Sequence, residues 1–286
     1  MIERLCVIGV GLIGGSLARA LRDAGFCRQV VGAGRNPKNL QTAVDLGVID
    51  RYETDLALAV AGADMVLVSV PLGAMATVFS AIKGHLAEDA VVTDAGSAKG
   101  GVIEAVTQAF NGLPPAFVPG HPIAGTEQSG VEASFASLYK DRRVILTPLP
   151  ETDSQAIDRV RDMWEAAGAH VVIMDPVHHD AVLAATSHLP HVLAYTLVES
   201  LTRLGDNGEV FDYAAGGFRD FTRIASSDPV MWRDICLANG DAIQLMIEHF
   251  VTDLQELTTA IQNRDGQQLL ELFTSAKAAR DRYVEK

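Results

Sequence analysis

A glycine-rich hexapeptide near the start of the chain has the spacing of a ligand-binding turn. Gly9, Gly11 and Gly14 match the pattern G-x-G-x-x-G, with Leu12 and Ile13 between the last two. Between a strand and a helix, the first glycine allows the tight turn, the second admits a pyrophosphate and the third lets the helix approach the strand. The amides that open the helix then face the phosphates. Because an apolar run precedes this segment and a helical pattern follows it, we predict a dinucleotide site rather than an unliganded turn.

The choice of cofactor depends on a position about 20 residues further on. Enzymes that use NAD usually carry Asp or Glu at the end of the second strand, where the carboxylate binds the ribose 2′-hydroxyl. In this chain Gly34 and Arg35 stand there instead. We expect Arg35 to meet a 2′-phosphate, so that NADP is accepted as well as NAD. Two alternatives remain open, in which Arg35 is a solvated loop residue or stacks on the adenine.

The elements that position this site are expected to alternate between strand and helix. Strands are predicted at residues 5–9, 30–32, 65–70, 91–94, 144–147 and 171–174, and helices near residues 14–25, 37–46, 73–86, 99–110 and 152–168. The strand candidates are rich in Val and Ile and mostly do not alternate with polar residues, as expected of strands covered on both faces. The pattern predicts an α/β fold with a Rossmann-type, doubly wound parallel sheet in residues 1–175.

Residues 176–286 contain no convincing strand and are expected to form an all-helical domain. Residues 181–204 are apolar on most sides and predict a buried helix. Nearer the C-terminus, apolar residues recur at steps of three and four, which predicts a long helix with a narrow packing seam. The seam consists of Ile243, Ile247, Phe250, Leu254, Leu257 and Ile261. We expect this domain to form a homodimer, although the seam could instead pack within one chain.

Composition argues against several classes of partner. The 286 residues carry a formal net charge of −13, which disfavours nucleic acid and anionic membranes. Neither a targeting segment nor a run of about 18 apolar residues is apparent. The three cysteines are widely spaced and do not form a disulfide pattern, so we expect a reducing compartment, the cytoplasm.

Three polar segments are expected to meet at the carboxyl ends of the strands, where ligands of open α/β sheets bind. They are residues 94–99 (DAGSAK), residues 120–127 (GHPIAGTE), and, from the helical half, residues 187–191 (SHLPH) together with residues 216–223 (GGFRDFTR).

With the glycine-rich segment at residues 9–16 (GVGLIGGS), these segments resemble the prephenate dehydrogenase family, which includes arogenate and cyclohexadienyl dehydrogenases. The resemblance covers nearly the whole chain in order. It is most specific at residues 121–130 (HPIAGTEQSG), followed by the arginine-containing segment at residues 217–223. The departure is Gly34-Arg35, where many NAD-using members carry an acidic residue.

The resemblance implies a reaction in tyrosine biosynthesis. Hydride leaves the ring carbon that bears the 4-hydroxyl and goes to the nicotinamide, the hydroxyl proton leaves with it, and loss of the ring carboxylate as CO2 makes the ring aromatic. Prephenate would give 4-hydroxyphenylpyruvate, and arogenate would give tyrosine. The sequence leaves the choice between these two substrates open.

The resemblance also implies roles for four residues, and a fifth, Glu127, lies close by in the sequence. His121 is the matched general base, in what we expect to be a loop, since a neutral imidazole suits this task at pH 7. Ser97 is matched as the partner that orients His121 or the substrate hydroxyl, although it could equally cap the next helix. Arg223 is matched to a substrate carboxylate and His191 to the substrate side chain. Glu127 is expected to gate the pocket or to meet an amine, or else is an exposed loop carboxylate.

Competing interpretations come from other classes. His188 and His191 share a helix face, but no third ligand is evident, and we expect no metal. A two-domain dehydrogenase of the β-hydroxyacid or pyrroline-carboxylate reductase type would share the fold class, but the lysine-bearing helical motif of those enzymes is not evident. A non-catalytic dinucleotide sensor would bind cofactor without turning over any cyclohexadiene acid.

Overall fold

The computed structural model describes residues 1–204 and 207–284, and its first half is built on a parallel sheet. The six strands of this sheet are β1 (Ile2–Ile8), β2 (Cys27–Ala33), β3 (Arg51–Glu53), β4 (Met65–Val68), β5 (Val91–Asp94) and β6 (Phe117–Val118). They lie in the order β3-β2-β1-β4-β5-β6, and all pairs are parallel. This is the doubly wound order, in which the direction of winding reverses between β1 and β4. The predicted fold class is confirmed.

Helices cover both faces of the sheet. They are α1 (Leu12–Asp23), α2 (Pro37–Asp45), α3 (Leu56–Val60), α4 (Met75–Ile82) and α5 (Lys99–Phe110). Successive residues of β1 point to opposite faces. Leu5 and Val7 belong to one buried apolar cluster, whereas Cys6 and Ile8 belong to the other. Burial on both sides explains the continuous apolar runs in the sequence.

A second, smaller sheet follows the first. It contains β7 (Gly120–Pro122), β8 (Arg143–Leu146) and β9 (His170–Ile173), with α6 (Ser154–Ala166) between the last two strands. Strand β7 is antiparallel to β8, and β9 is parallel to β8. The strands expected at residues 144–147 and 171–174 therefore exist but lie outside the parallel sheet. The expectation of a loop around His121 was wrong, because His121 lies on β7.

Helices follow from residue 176 onward. Helix α7 (Pro176–Leu183) runs through a π-helical turn at Ala184–His188 into α8 (Leu189–Thr202), and then come α9 (Asn207–Asp212), α10 (Gly216–Thr222) and α11 (Pro229–Ala238). The expectation of one buried helix over residues 181–204 was wrong in two respects. The helix is interrupted by the π turn, and α8 buries only Leu189 and Ala194.

The stretch Pro176–Thr202 is long and apolar enough to cross a membrane by length and composition alone, with a mean hydropathy of 1.3. One such helix is weak evidence, because helices of soluble proteins meet the same criteria. The first turns of this stretch also carry buried His179 and Asp180, and the Asp180 carboxylate accepts hydrogen bonds from backbone amides of α5. These contacts are those of a helix packed against α5 and the half of the chain that carries the parallel sheet.

The last two helices are α12 (Gly240–Gln262) and α13 (Gly266–Val284). By its internal contacts the chain divides into two compact units, Met1–Gly240 and Asp241–Lys286. Of the predicted seam on α12, Ile243 is buried, whereas Leu254 and Ile261 are 43% and 58% exposed. The domain boundary expected near residue 175 stays a prediction.

Candidate active site

The glycine-rich turn between β1 and α1 has the shape of a phosphate cradle. Gly9 has a φ of 95°, and a Cβ there would lie 2.5 Å from the Ser69 carbonyl oxygen. A Cβ on Gly14 would lie 2.4 Å from the Ser69 hydroxyl. At Gly11, by contrast, a Cβ would meet no atom within 4 Å, and α1 begins at the next residue. The first and third glycines are therefore required for packing, and the second faces open space beside the helix N-terminus, which fits a bound pyrophosphate.

The end of β2 is where the cofactor's ribose is expected. A Cβ on Gly34 would meet only Leu40, at ordinary contact distances of 3.7 Å or more, so a side chain fits there. Arg35 is exposed, and Asn36 caps α2 by accepting a hydrogen bond from the Lys38 amide at 3.0 Å. The structure thus places Arg35 in the open, in front of the α2 N-terminus.

A buried ion pair organises the segment after β5. Lys99 is fully buried, and its Nζ donates to Asp94 Oδ2 and to the Gly120 carbonyl oxygen, both at 2.5 Å. The Asp94 carboxylate also accepts from the amides of Gly96 at 2.7 Å and Gly120 at 3.0 Å. The pair therefore ties the DAGSAK segment to the residue that directly precedes His121.

His121 is buried and belongs to a chain of hydrogen-bonded side chains. Its Nδ1 lies 2.8 Å from Nε2 of His179 on α7, and Nδ1 of His179 lies 2.8 Å from Asp180 Oδ1. Asp180 in turn accepts from the amides of Lys99 and Gly100, both at 2.8 Å. Among the described residues, His121 Nε2 has no hydrogen-bond partner. This atom is also not fully buried, so it is accessible although the residue as a whole is buried. This nitrogen is therefore free to meet a ligand.

The environment keeps His121 neutral. Burial lowers the pKa of this imidazole well below 6.5, and the nearby positive charge of Lys99 lowers it further. An unprotonated ring nitrogen at pH 7 is what a proton acceptor requires.

Ser97 lies between the two anchored ends of the DAGSAK segment and is half-buried. Helix α5 begins at Lys99, its N-cap is Ala98, and no side-chain hydrogen bond caps it. The alternative in which Ser97 is the helix cap is therefore wrong.

His191 stacks on Trp232, with ring centroids 3.7 Å apart and planes at 20°. Its Nδ1 lies 2.9 Å from the Ser187 carbonyl oxygen, so Nδ1 is the donor and Nε2 points elsewhere. His188 makes a different contact, because its Nδ1 lies 3.1 Å from the side-chain amide nitrogen of Asn239. No group of three or more His, Cys, Asp or Glu side chains within residues 1–204 and 207–284 is placed to hold a metal ion.

Arg223 pairs with Glu127, and both side chains are largely exposed. This ion pair joins the end of α10 to the segment that follows β7. That segment continues to Phe135 and Tyr139, which are anchored on α1: the Phe135 amide donates to the Ser16 hydroxyl at 3.0 Å, and the Tyr139 hydroxyl donates to the Ile13 carbonyl at 2.6 Å. The structure thus links Arg223, through Glu127, to the segment that runs from His121 to α1.

Sequence analysis missed three members of this arrangement. His179, Asp180 and Asn239 belong to the hydrogen-bond network, but they lie on helices far from the motifs. The only local signal for the first two was the run His178-His179-Asp180 just after a helix start at Pro176. That run does not indicate which of the two histidines faces inward.

Comparison with known proteins identifies the family. Residues 17–173 match the model of the prephenate dehydrogenase nucleotide-binding domain, and residues 175–275 match that of the prephenate dehydrogenase dimerization domain. The chain belongs to the prephenate dehydrogenase family. It is 41% identical to a cyclohexadienyl dehydrogenase from Zymomonas mobilis, over 97% of this chain and 95% of the relative.

Solved structures agree with this assignment. Prephenate dehydrogenase from A. aeolicus, in complex with hydroxyphenyl propionate and NAD+, is 39% identical with a TM-score of 0.92, over 98% of both chains. Arogenate dehydrogenase from Synechocystis is 28% identical with a TM-score of 0.82, over 98% of this chain and 100% of that one. The activity of this chain is therefore that of an NAD-dependent prephenate/cyclohexadienyl dehydrogenase of tyrosine biosynthesis. The alternatives of a β-hydroxyacid-type dehydrogenase and of a non-catalytic sensor are set aside.

Proposed function

We propose that His121 is the general base that accepts the ring-hydroxyl proton of a cyclohexadiene acid. The observation that carries this proposal is the buried, neutral imidazole whose Nδ1 is held by His179 while Nε2 is free. NAD, when bound, supplies the hydride acceptor. The residues that would hold it are those of the glycine-rich turn: Gly9, Gly11, Leu12, Ile13 and Gly14.

Four other side chains would hold the substrate. Arg223 binds a carboxylate, because its exposed pair with Glu127 has little net stability and yields readily to a substrate anion. His191, fixed by Trp232 and Ser187, contacts the substrate side chain through Nε2. Ser97 orients the hydroxyl or His121. Glu127, once released from Arg223, closes over the pocket or meets the ammonium group of arogenate.

The hydroxyphenyl propionate bound in the A. aeolicus relative supports this assignment of chemistry. That molecule has a hydroxyl at one end of a ring and a side-chain carboxylate at the other. A base for the first group and a cation for the second are what His121 and Arg223 provide. We propose that residues 1–175 bind the cofactor and residues 176–286 form the substrate and dimerisation domain. The free cysteines fit a cytoplasmic enzyme.

One assay tests the function. Purified enzyme is given prephenate or arogenate, each with NAD or NADP, and reduced cofactor is followed by absorbance. We expect turnover with at least one of the two acids, and we expect NADP to be accepted as well as NAD. Cofactor binding without turnover on either acid would contradict the proposal.

The preference between cofactors is expected to depend on two residues. Gly34→Asp should shift the ratio of kcat/KM values toward NAD, because a carboxylate binds the ribose diol and repels a 2′-phosphate. The open space at Gly34 allows this side chain without a clash. Arg35→Ala should weaken NADP selectively, while Lys38→Ala, on the same exposed surface, serves as the matched control. An unchanged ratio in both variants would refute the role of Arg35.

We also propose that the enzyme is a homodimer formed mainly by residues after 176. Most of the exposed large apolar side chains lie in this part of the chain, including Leu254, Ile261 and Phe273. Light scattering at micromolar concentration should give about twice the chain mass of 30.5 kDa. Leu254→Glu should lower this mass, whereas Glu256→Gln, two residues on and therefore on the opposite side of the helix, should not. A monomer mass for the unmodified enzyme would mean that the seam packs within one chain.

A further inference from the structure

The hydrogen-bond chain behind His121 fixes which atoms carry protons. Burial alone would raise the pKa of Asp180, but hydrogen bonds from His179 and from the amides of Lys99 and Gly100 lower it. Asp180 is therefore an ionised carboxylate, and a carboxylate only accepts hydrogen bonds. Consequently the proton between Asp180 and His179 lies on Nδ1 of His179.

The same reasoning applies to the imidazole ring of His121, which contacts His179. A neutral His179 with its proton on Nδ1 has a lone pair on Nε2. The 2.8 Å contact with His121 then requires that Nδ1 of His121 is the donor. A neutral His121 that carries its proton on Nδ1 has its lone pair on Nε2, the nitrogen without a protein partner.

We infer that His179, held by the Asp180 carboxylate, is a positioning residue that fixes the orientation and tautomer of His121 so that Nε2 is the unprotonated nitrogen. This inference rests on the proposed role of His121 as the base. The His179 side chain is fully buried, and the Asp180 carboxylate is engaged by His179 and by two backbone amides. Both act through His121.

The arrangement also eases proton uptake in a buried site. When His121 takes the hydroxyl proton on Nε2, its ring becomes a cation inside the protein, which is costly without a partner. The new positive charge strengthens the bond from Nδ1 to His179, and the Asp180 carboxylate lies directly behind that ring. The proton stays on His121, so no transfer to His179 is needed.

The tautomers can be measured without any variant and without turnover. Long-range ¹⁵N–¹H correlation spectra of histidine-labelled enzyme distinguish a protonated from an unprotonated ring nitrogen, and His121→Asn assigns the His121 signals. We expect Nδ1 protonated and Nε2 unprotonated in both His121 and His179. A doubly protonated His179 would donate from Nε2 and place the His121 proton on Nε2, and that spectrum would overturn the inference.

Two variants test the consequence for catalysis. His179→Leu removes the acceptor, so the His121 signals should change to the other tautomer or to a mixture. We expect kcat to fall by about 10–150-fold, the loss typical of one hydrogen bond to a charged group, with the KM values unchanged. His179→Gln retains an amide oxygen as acceptor, so it should keep the wild-type tautomer and lose less kcat. His178→Gln, on the exposed neighbour, is the control, and circular dichroism together with NAD binding checks the fold of each variant.

The outcomes separate this inference from the proposed function. If wild-type enzyme turns over a cyclohexadiene acid but His179→Leu keeps both the tautomer and kcat, the inference fails and the function stands. Equal losses in His179→Leu and His179→Gln, with an unchanged His121 tautomer in each, would also overturn it. If the wild type turns over neither acid, the proposed function fails, while the spectra still report the tautomer.

Discussion

Replacing His121 with asparagine should lower kcat by about 10²–10⁴-fold, the usual contribution of a positioned general base. Asparagine is close in size and keeps a polar group beside His179, but its amide cannot take up a proton. The KM values should change little, because His121 contributes to proton transfer more than to ground-state binding. Steady-state kinetics, with the concentrations of the acid substrate and of NAD both varied, measure the effect. The matched control is His178→Asn, which changes an exposed histidine. A kcat near that of the wild type would mean that another residue, first of all His191, is the base.

The same variant should change the pH profile. Because the pKa of His121 lies well below 6.5, the imidazole stays neutral at pH 6.5 and above, and activity is lost only as pH falls through the depressed pKa. The acid limb of kcat/KM, which reports the free enzyme, should therefore lie below pH 6.5, the midpoint expected of an exposed histidine. In His121→Asn this limb should be absent. A limb that persists unchanged in the variant would assign the ionisation to a different group.

Replacing Arg223 with alanine should produce the opposite kinetic pattern. Loss of a charge-assisted bond to a bound anion costs roughly 1.5–3 kcal/mol, so KM for the acid substrate should rise by about 10–150-fold. A smaller loss of kcat should accompany it if the ring is held less precisely for reaction. NAD binding, measured by fluorescence, should survive, since Arg223 lies outside the glycine-rich turn.

A second exposed arginine provides the control for Arg223. Arg203 also pairs with a glutamate, Glu199, at 2.9 Å, and both side chains are exposed. Arg203→Ala therefore removes the same charge and a similar ion pair without an expected role in substrate binding. If the two variants raise KM equally, the effect reflects the overall electrostatic repulsion between the acidic protein surface and the anionic substrate. The assignment of Arg223 to the substrate carboxylate would then be wrong.

Sequence patterns predicted the parts of the fold that are long or apolar on both faces. Strands β1, β4 and β5 appear as runs of Val, Ile and Leu because helices cover both sides of the sheet. Strands β3, β6 and β7 have only two or three residues, which is too short for any periodicity to develop. That is why His121, on β7, was expected in a loop.

The site was predictable where a motif is local and not where it depends on tertiary contact. The glycine spacing predicted the cofactor turn, since all three glycines lie within six residues and each is needed for the backbone geometry of that turn: Gly9 and Gly14 leave no room for a Cβ, and Gly11 borders open space. His179 lies 58 residues from His121 in sequence, and only the packing of α7 against α5 brings them together. Similarly, nothing in the DAGSAK segment indicated that Lys99 is fully buried and reaches the Gly120 carbonyl.

The π turn at Ala184–His188 means that the helix from α7 to α8 holds one more residue than regular winding would accommodate. An α-helix rotates by about 100° per residue, so the extra residue turns every later side chain by about that angle relative to α7. His179 and His191 are twelve residues apart, so a regular helix would place them about 120° apart, whereas the extra residue reduces this separation to about 20°. Seen as an insertion, the extra residue brings His179, which contacts His121, and His191, which stacks on Trp232, to the same side of one continuous helix. Regular α-helical winding of the same residues, with no π turn, would rotate His191 by about 100° and carry it off the Trp232 ring.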